Sequence, residues 1–230
     1  VVVSQATPGI VTQASATGQV GVVALSDTAT LSNGYNPTGT ITFNLYGPNN
    51  NSCTGPAIFT STVTVNGNGN YTSTPTFSPT APGTYRWTAS YSGDTNNAGI
   101  SHPCNAQNES TVVNRRSASI VTTASAGGGI GTQIQDSATV TGTNPTGTVT
   151  FNLYAPTDAA CNGPAVFSET VTLSGGSATS SYFTTTQAGT YRWKATYNGD
   201  ANNTTATHAC GSAGETAIIT KSSPTIATTA

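Results

Sequence analysis

The sequence predicts an all-β protein made of two copies of one two-sheet sandwich. Three observations predict it: the chain repeats itself, its apolar residues alternate with period two, and its composition is that of strands and turns. Only 6% of the 230 residues are charged, against 25 Gly, 12 Pro, 9 Tyr, 6 Phe and 2 Trp. Thr and Val are abundant; both are β-branched, stiff at χ1, and fit a pleated surface. Gly, Asn and Pro supply turns. A formal net charge of -2 together with the aromatic content argues against a disordered chain.

The repeat organises the rest. PTGTITFNLY at 37–46 returns as PTGTVTFNLY at 145–154, and GTYRWTASYSGD from Gly83 returns as GTYRWKATYNGD from Gly189. CTGPAIF at Cys53 matches CNGPAVF at Cys161, and ESTVV at Glu109 matches ETAII at Glu215. The opening VVVSQATPGIVT resembles the junction TVVNRRSASIVT, and TAIITKSSPTIAT near the C-terminus resembles it again. These matches predict domains at 6–115 and 116–222. Residues 1–5 would then be the end of a preceding copy and 223–230 the start of a following one, as in a segment of a longer array.

Within each copy the strands follow in order. Ile41, Phe43 and Leu45 occupy alternate places, with Thr42 and Asn44 between them. Phe59, Val63 and Val65 share one parity. NGNG at 66–69 and SGGS at 174–177 predict hairpin turns, because Gly and Asn tolerate positive φ. Tyr85, Trp87, Ala89 and Tyr91 again share one parity. A strand with one apolar face packs on a second sheet and leaves its other face wet. No stretch has helical periodicity, and about seven strands per copy fit a sandwich. The last strand of copy one ends near Val113 and the first of copy two starts near Ser119, so Asn114, Arg115, Arg116, Ser117 and Ala118 form the whole link.

The Gly-Thr-Tyr-x-Trp run resembles the start of strand F in immunoglobulin-like folds. The wider pattern, PTGTVTF followed by GTYxWxAxYxGDxNN, is similar to the bacterial immunoglobulin-like repeats of large surface and secreted proteins. The resemblance covers nearly all of both copies. It implies two tandem immunoglobulin-like β-sandwich domains, with Tyr85 and Tyr191 as corner tyrosines. Trp87 and Trp193 would stand where antibody domains carry a cysteine.

The four cysteines fall two per copy at matching places. An even, repeated count in a chain of extracellular character predicts one disulfide per domain, Cys53 with Cys104 and Cys161 with Cys210. Closing a loop of about 50 residues stabilises by roughly 4 kcal/mol on the chain-entropy model. The segment from Gly93 to Asn108 must fold back along the sheet to allow it. Zinc is the rival reading, since His102 and His208 each sit two residues before a cysteine. Structural zinc wants four ligands, usually with close cysteine pairs, and no fourth ligand recurs.

Arg86 and Arg192 have outward parity on the proposed strand F, and Glu109 and Glu215 open its neighbour. A cross-strand ion pair in each copy, Arg86 with Glu109 and Arg192 with Glu215, is the expectation. Asp94 and Asp200 mark the turn after strand F, followed by Asn pairs, and Asp27 and Asp136 also recur. One Asp per loop is thin for calcium, which takes 6 to 8 oxygen ligands, so side-chain bonding within the turn is the leading reading. A repeated lysine–asparagine cross-link is excluded because the first copy has no lysine. Composition leaves a threonine–glutamine ester open, but Gln13 matches Thr123, so nothing argues for it.

These readings exclude several functions. Six basic residues give no surface for nucleic acid. No apolar run approaches the roughly 20 residues of a membrane-spanning helix. No nucleophile elbow, phosphate loop or metalloprotease helix appears, so no catalytic residue, cofactor or metal is assigned. The function expected is a structural spacer or stalk of a repetitive extracellular or cell-surface protein. Short linkage and strands of about ten residues predict a semi-rigid rod of about 80 Å. Its partners would be neighbouring repeats of the same chain. The alternative is an adhesive or carbohydrate-binding module that meets other cell-surface proteins or glycans. Tyr46 and Tyr154, with outward parity, would be its stacking platforms, whereas Tyr35 has no evident equivalent in the second copy. Sequons stand at Asn50, Asn70, Asn108, Asn202 and Asn203.

Overall fold

The structure, a computed structural model, describes residues 2–228. The chain divides between Arg115 and Arg116 into two compact units, and every regular element among the described residues is a strand. The first unit carries β1 (Gly9–Ala14), β2 (Gly18–Gln19), β3 (Asp27–Ser32), β4 (Thr40–Tyr46), β5 (Phe59–Thr64), β6 (Gly69–Thr72), β7 (Gly83–Tyr91), β8 (Ile100–His102) and β9 (Ser110–Asn114). The second carries β10 (Ser119–Ala124), β11 (Gly128–Gly129), β12 (Gln133–Ile134), β13 (Asp136–Thr141), β14 (Thr148–Tyr154), β15 (Phe167–Thr172), β16 (Ser177–Thr179), β17 (Phe183–Thr184), β18 (Gly189–Tyr197), β19 (Ala206–His208) and β20 (Thr216–Thr220). Residues 2–5 and 221–228 carry no strand, whereas the array reading expects strand remnants there. Residues 1, 229 and 230, part of the same expectation, lie outside the described residues.

In the first unit β1-β3-β6 form one sheet and β2-β9-β7-β4-β5 the other, with β8 also on β7. The second unit repeats this with β10-β13-β16 and β11-β20-β18-β14-β15, β19 on β18, and a small β12-β17 pair. The alternation read from sequence is the cause. Ile41, Phe43 and Leu45 on β4, and Tyr85, Trp87, Ala89 and Tyr91 on β7, are buried together with Ile10, Ala29 and Leu31 of the opposite sheet. Phe59 stands edge-on to Trp87 with centroids 6.0 Å apart, and Phe167 stands likewise to Trp193 at 5.8 Å. Such contacts add to what burial alone contributes.

The NGNG segment is a turn but not a hairpin. β5 pairs with β4 in one sheet, whereas β6 pairs with β3 in the other. The turn therefore carries the chain across the sandwich. In the second unit Gly175 and Gly176 (φ 57° and 81°) make a tight two-residue turn between Ser174 and Ser177. The strands beyond it again part to different sheets. Glycine dictates the reversal; the inward apolar residues on each side dictate which sheet each strand joins.

The end of each unit positions the site. β7 runs antiparallel to β8 through Tyr91↔Ile100 and Ala89↔His102, then to β9 through Arg86↔Ser110 and Gly83↔Val113. The last strand is thus one strand interrupted by an excursion over 103–109. That excursion carries Cys104 to Cys53 on the loop after β4, where the two are disulfide-bonded with Cα atoms 5.9 Å apart. Cys161 and Cys210 are bonded in the same way at 6.1 Å. The fold-back over Gly93–Asn108 that the pairing requires is β8 itself. Replacing both Cys53 and Cys104 by Ser is expected to destabilise the first unit by about 2–5 kcal/mol. Denaturant unfolding under non-reducing conditions checks this, with the wild-type chain as reference.

Candidate functional site

The reversal after β7 is held by one carboxylate. Asp94 Oδ1 accepts the Asn96 and Asn97 amides at 2.8 and 2.9 Å, and Oδ2 accepts the Thr38 amide at 2.7 Å and the Tyr91 hydroxyl at 3.1 Å. Asp200 repeats this with Asn202, Asn203, Thr146 and Tyr197. The Thr38 amide leads in holding the Asp94 carboxyl below its ordinary range. Burial, and then the bond to Asp94, pushes the Tyr91 hydroxyl up to about 12. Gly93 opens the turn at φ 74°, where a Cβ would lie 2.7 Å from the Gly99 nitrogen. These donors occupy the Asp oxygens that a calcium reading would need.

The same turn anchors the chain entering each unit. Ala6 N donates to Asn96 O at 2.8 Å, and Ala98 N to Ala6 O at 2.9 Å. Arg116 and the Asn202–Thr204 backbone repeat the pair at 2.7 and 2.9 Å.

A polar cluster lies inside each sandwich. In the first unit Thr12 on β1 and Asp27 on β3 face the core with Ile10 and Ala29, and Glu109 faces it with Thr111 and Val113. Thr12 is 1% exposed, Asp27 and Glu109 0%. His102, at the end of β8, puts one ring nitrogen between two of them. Its Nδ1 lies 2.7 Å from Thr12 Oγ1 and 2.9 Å from Glu109 Oε1. In the second unit His208 Nδ1 lies 2.7 Å from Thr122 Oγ1 and 2.9 Å from Glu215 Oε1, and the Thr122 hydroxyl donates directly to Glu215 Oε1. Asp136 takes the place of Asp27, and its Oδ1 accepts the Ser137 amide at 2.9 Å.

The electrostatics of this cluster are those of carboxyls kept from water without a permanent cation. Burial, then the charge of Asp27, raises the Glu109 carboxyl to about 8. Burial raises Asp27 to about 6. The Thr28 and Gln13 amides lower Asp27 only partly, and neither of its oxygens meets hydrogen-bond geometry. Burial, then Glu215, raises Asp136 to about 7, and burial also raises Glu215. Burial lowers His102, which favours its neutral ring. Glu109 Oε2 and Glu215 Oε2 are buried with no partner.

Several expectations are corrected. Glu109 does not meet Arg86, nor Glu215 Arg192: the only ion-pair geometry among the described residues is with His102 and His208. Parity explains it. Arg86 points out of the sheet toward Asn105 Oδ1, 2.6 Å from its Nε, while Glu109 sits on the inner face beside Trp87, whose amide donates to Glu109 O at 2.8 Å. Arg192 donates to Thr190 O at 3.0 Å. His102 is a half-buried member of the cluster. With their sulfurs joined, Cys53 and Cys104 offer zinc no thiolates. Tyr154 is 8% exposed and offers no platform; Tyr35, 67% exposed, stays accessible. Sequence reasoning missed Thr12 and Thr122. The signal was available: polar residues at inward parity that recur in both copies.

Two shallow clefts lie on the surface. One, of about 720 Å³, is lined by Gln5, Tyr35, Thr95 and Asn96 among others; the second is lined by Val140, Thr141, Asn144, Pro145 and the Gly175–Gly176 turn among others. No helix is long and apolar enough to cross a membrane among the described residues.

No family model and no curated protein matches the chain. Among solved structures it is similar to a red sea bream transglutaminase, at 10% identity and a TM-score of 0.33 over 96% of this chain and 32% of that one. A likeness this slight carries no argument about fold or activity.

The raised aspartates set a pH dependence. A carboxyl with a folded pKa above its unfolded value of 3.8 binds its proton more tightly in the native state. Its contribution is full below about pH 4 and is lost as pH rises through about 6 for Asp27 and about 7 for Asp136. The loss expected from Asp27 is on the order of 3 kcal/mol. Denaturant midpoints between pH 4 and 8 check it, and Asp27→Asn with Asp136→Asn is expected to flatten the slope.

Proposed function

We propose that the chain is a spacer segment of a repetitive extracellular protein, built from tandem immunoglobulin-like domains. The observation that carries this reading is that one disulfide-tied sandwich occurs twice with almost no free chain between. Asn114 ends β9 and Arg116 is already bonded to the Asn202–Thr204 backbone, which leaves Arg115 between them. So short a connection restricts hinge freedom, unlike a long flexible linker.

Two details support the immunoglobulin-like description. The sheet orders β1-β3-β6 and β9-β7-β4 follow the A-B-E and G-F-C arrangement of such sandwiches, with β5 added beyond β4. Tyr85 donates from its hydroxyl to Ala81 O at 2.9 Å, a few residues upstream, as a corner tyrosine does. The two disulfides fit an oxidising, extracellular setting. In this reading the chain turns over no substrate; its role is to hold what flanks it at a distance. Small-angle scattering of the isolated pair is expected to give an extended particle with a longest dimension of about 80 Å. A compact or freely jointed profile would overturn the rod.

A carbohydrate-binding reading is favoured by one observation, the exposed Tyr35 ring at a cleft with Gln5, Thr95 and Asn96. Aromatic faces beside amide side chains suit sugar rings. A glycan array decides between them: specific binding lost in Tyr35→Ala would establish the module as a binder, and a blank array supports the spacer.

A further inference from the structure

Each unit buries an alcohol and a carboxyl group and places an imidazole nitrogen at hydrogen-bond distance from both. His102 Nδ1 touches both Thr12 Oγ1 and Glu109 Oε1, at 2.7 and 2.9 Å. His208 repeats both contacts, and there the Thr122 hydroxyl also meets the Glu215 carboxyl directly. This is the constellation of nucleophile, base and acyl group that acyl transfer requires, with all three supplied by the chain. We infer that Thr12 with Glu109, and Thr122 with Glu215, condense into side-chain ester bonds that tie β1 to the residue opening β9, and β10 to the residue opening β20.

The step balances without a co-reactant. Thr12 Oγ1 attacks Cδ of the protonated Glu109 carboxyl while His102 Nδ1 takes the hydroxyl proton. The tetrahedral adduct then breaks its bond to one former carboxyl oxygen. That oxygen keeps the bonding pair, receives the proton from Nδ1, and leaves as water. An alcohol and a carboxylic acid have become an ester and one water, and the imidazole is neutral again. One nitrogen reaches both the oxygen that loses a proton and the carboxyl that receives it, so a single ring serves as base and then acid.

Three conditions that disfavour ester formation in water are removed here. The partners are held together, where well-oriented groups reach effective molarities of roughly 10⁵–10⁸ M. Bulk water, the competing nucleophile, is excluded, since Thr12 and Glu109 are 1% and 0% exposed. The carboxyl is kept in its neutral, electrophilic form by burial and by Asp27. Asp27 touches no reacting atom and is a positioning residue that acts through its charge. A separate observation points the same way. Glu109 Oε2 and Glu215 Oε2 are buried with no hydrogen-bond partner, which is costly for a free acid. An ester has neither a proton to donate nor a charge to solvate.

The experiment is an intact-mass measurement on the folded, non-reduced chain after prolonged incubation at neutral pH. The expected mass is that of the sequence less the four hydrogens of the two disulfides and less two waters. Proteolysis should then yield a peptide pair joined through Thr12 and Glu109, which hydroxylamine separates after denaturation. Thr12→Val should restore one water, and Thr12→Val with Thr122→Val both. Asp27→Asn should slow the appearance of the first ester without changing the number of waters finally lost. A wild-type mass that lacks only the disulfide hydrogens overturns the proposal and leaves an ordinary hydrogen-bonded cluster; this outcome does not depend on any variant folding.

Discussion

The arrangement of each unit depends on the Asp94 turn and its equivalent at Asp200. A carboxylate that accepts several amides and a tyrosine hydroxyl fixes where β7 ends and how sharply the chain reverses. Three things follow from that reversal. β8 is laid against β7, which sends the 103–109 excursion toward the loop after β4 and lets Cys104 meet Cys53. His102 comes to the end of β8 beside Thr12. The chain entering the unit finds the Asn96 and Ala98 backbone groups to pair with. Gly93 is required because no side chain fits where Gly99 and Asn97 approach it.

The interior is less oily than its aromatic content suggests. β4 and β7 supply the large apolar side chains, whereas the inner positions of β1, β3 and β9 include Thr12, Asp27, Thr111 and the adjoining Glu109. Buried carboxyls without a cation destabilise a fold unless they stay protonated or are hydrogen-bonded. The structure meets that demand with short-range means: an imidazole, a hydroxyl, and two carboxyls that disfavour each other's ionisation. Because both copies keep the set while neighbouring positions change (Gln13 to Thr123), the cluster is a property of the repeat rather than of one copy.

Much of this was legible in the sequence. Period-two alternation gives β4 and β7 with their inward faces, and the even, matched cysteines give the pairs that the structure bonds. What was not legible depended on partners far along the chain. Gly-rich turns announce a reversal but not whether the two strands stay in one sheet, which is why 66–69 reads as a hairpin and is a crossing. Glu109 was read by its charge, and charge favours Arg86. The alternation Glu109, Thr111, Val113 was the better guide, because side-chain direction in a strand is fixed by the backbone and a surface ion pair is worth too little to reverse it.

Position along the strands gives the cluster and the disulfide complementary roles. The excursion over 103–109 is held at its start by Cys104 and at its end by Glu109. The sulfur bridge fastens it to the loop after β4, and the polar cluster fastens it to β1 in the opposite sheet. A unit in the proposed spacer bears tension between its entering chain at Ala6 and its last strand β9. Pulling those apart first loads β1 and the parallel pairing of β2 with β9, which is only two residues long. The disulfide lies off that path, so it preserves the fold against complete unravelling but does not resist the first separation. Among the contacts that span the path are Ala14 N to Asn108 O, the Thr111 hydroxyl to Ser15 O, and Thr12, through His102, to Glu109. A covalent bond formed between Thr12 and Glu109 strengthens a unit against pulling where hydrogen bonds alone otherwise carry the load, and there the chain has placed its reactive groups.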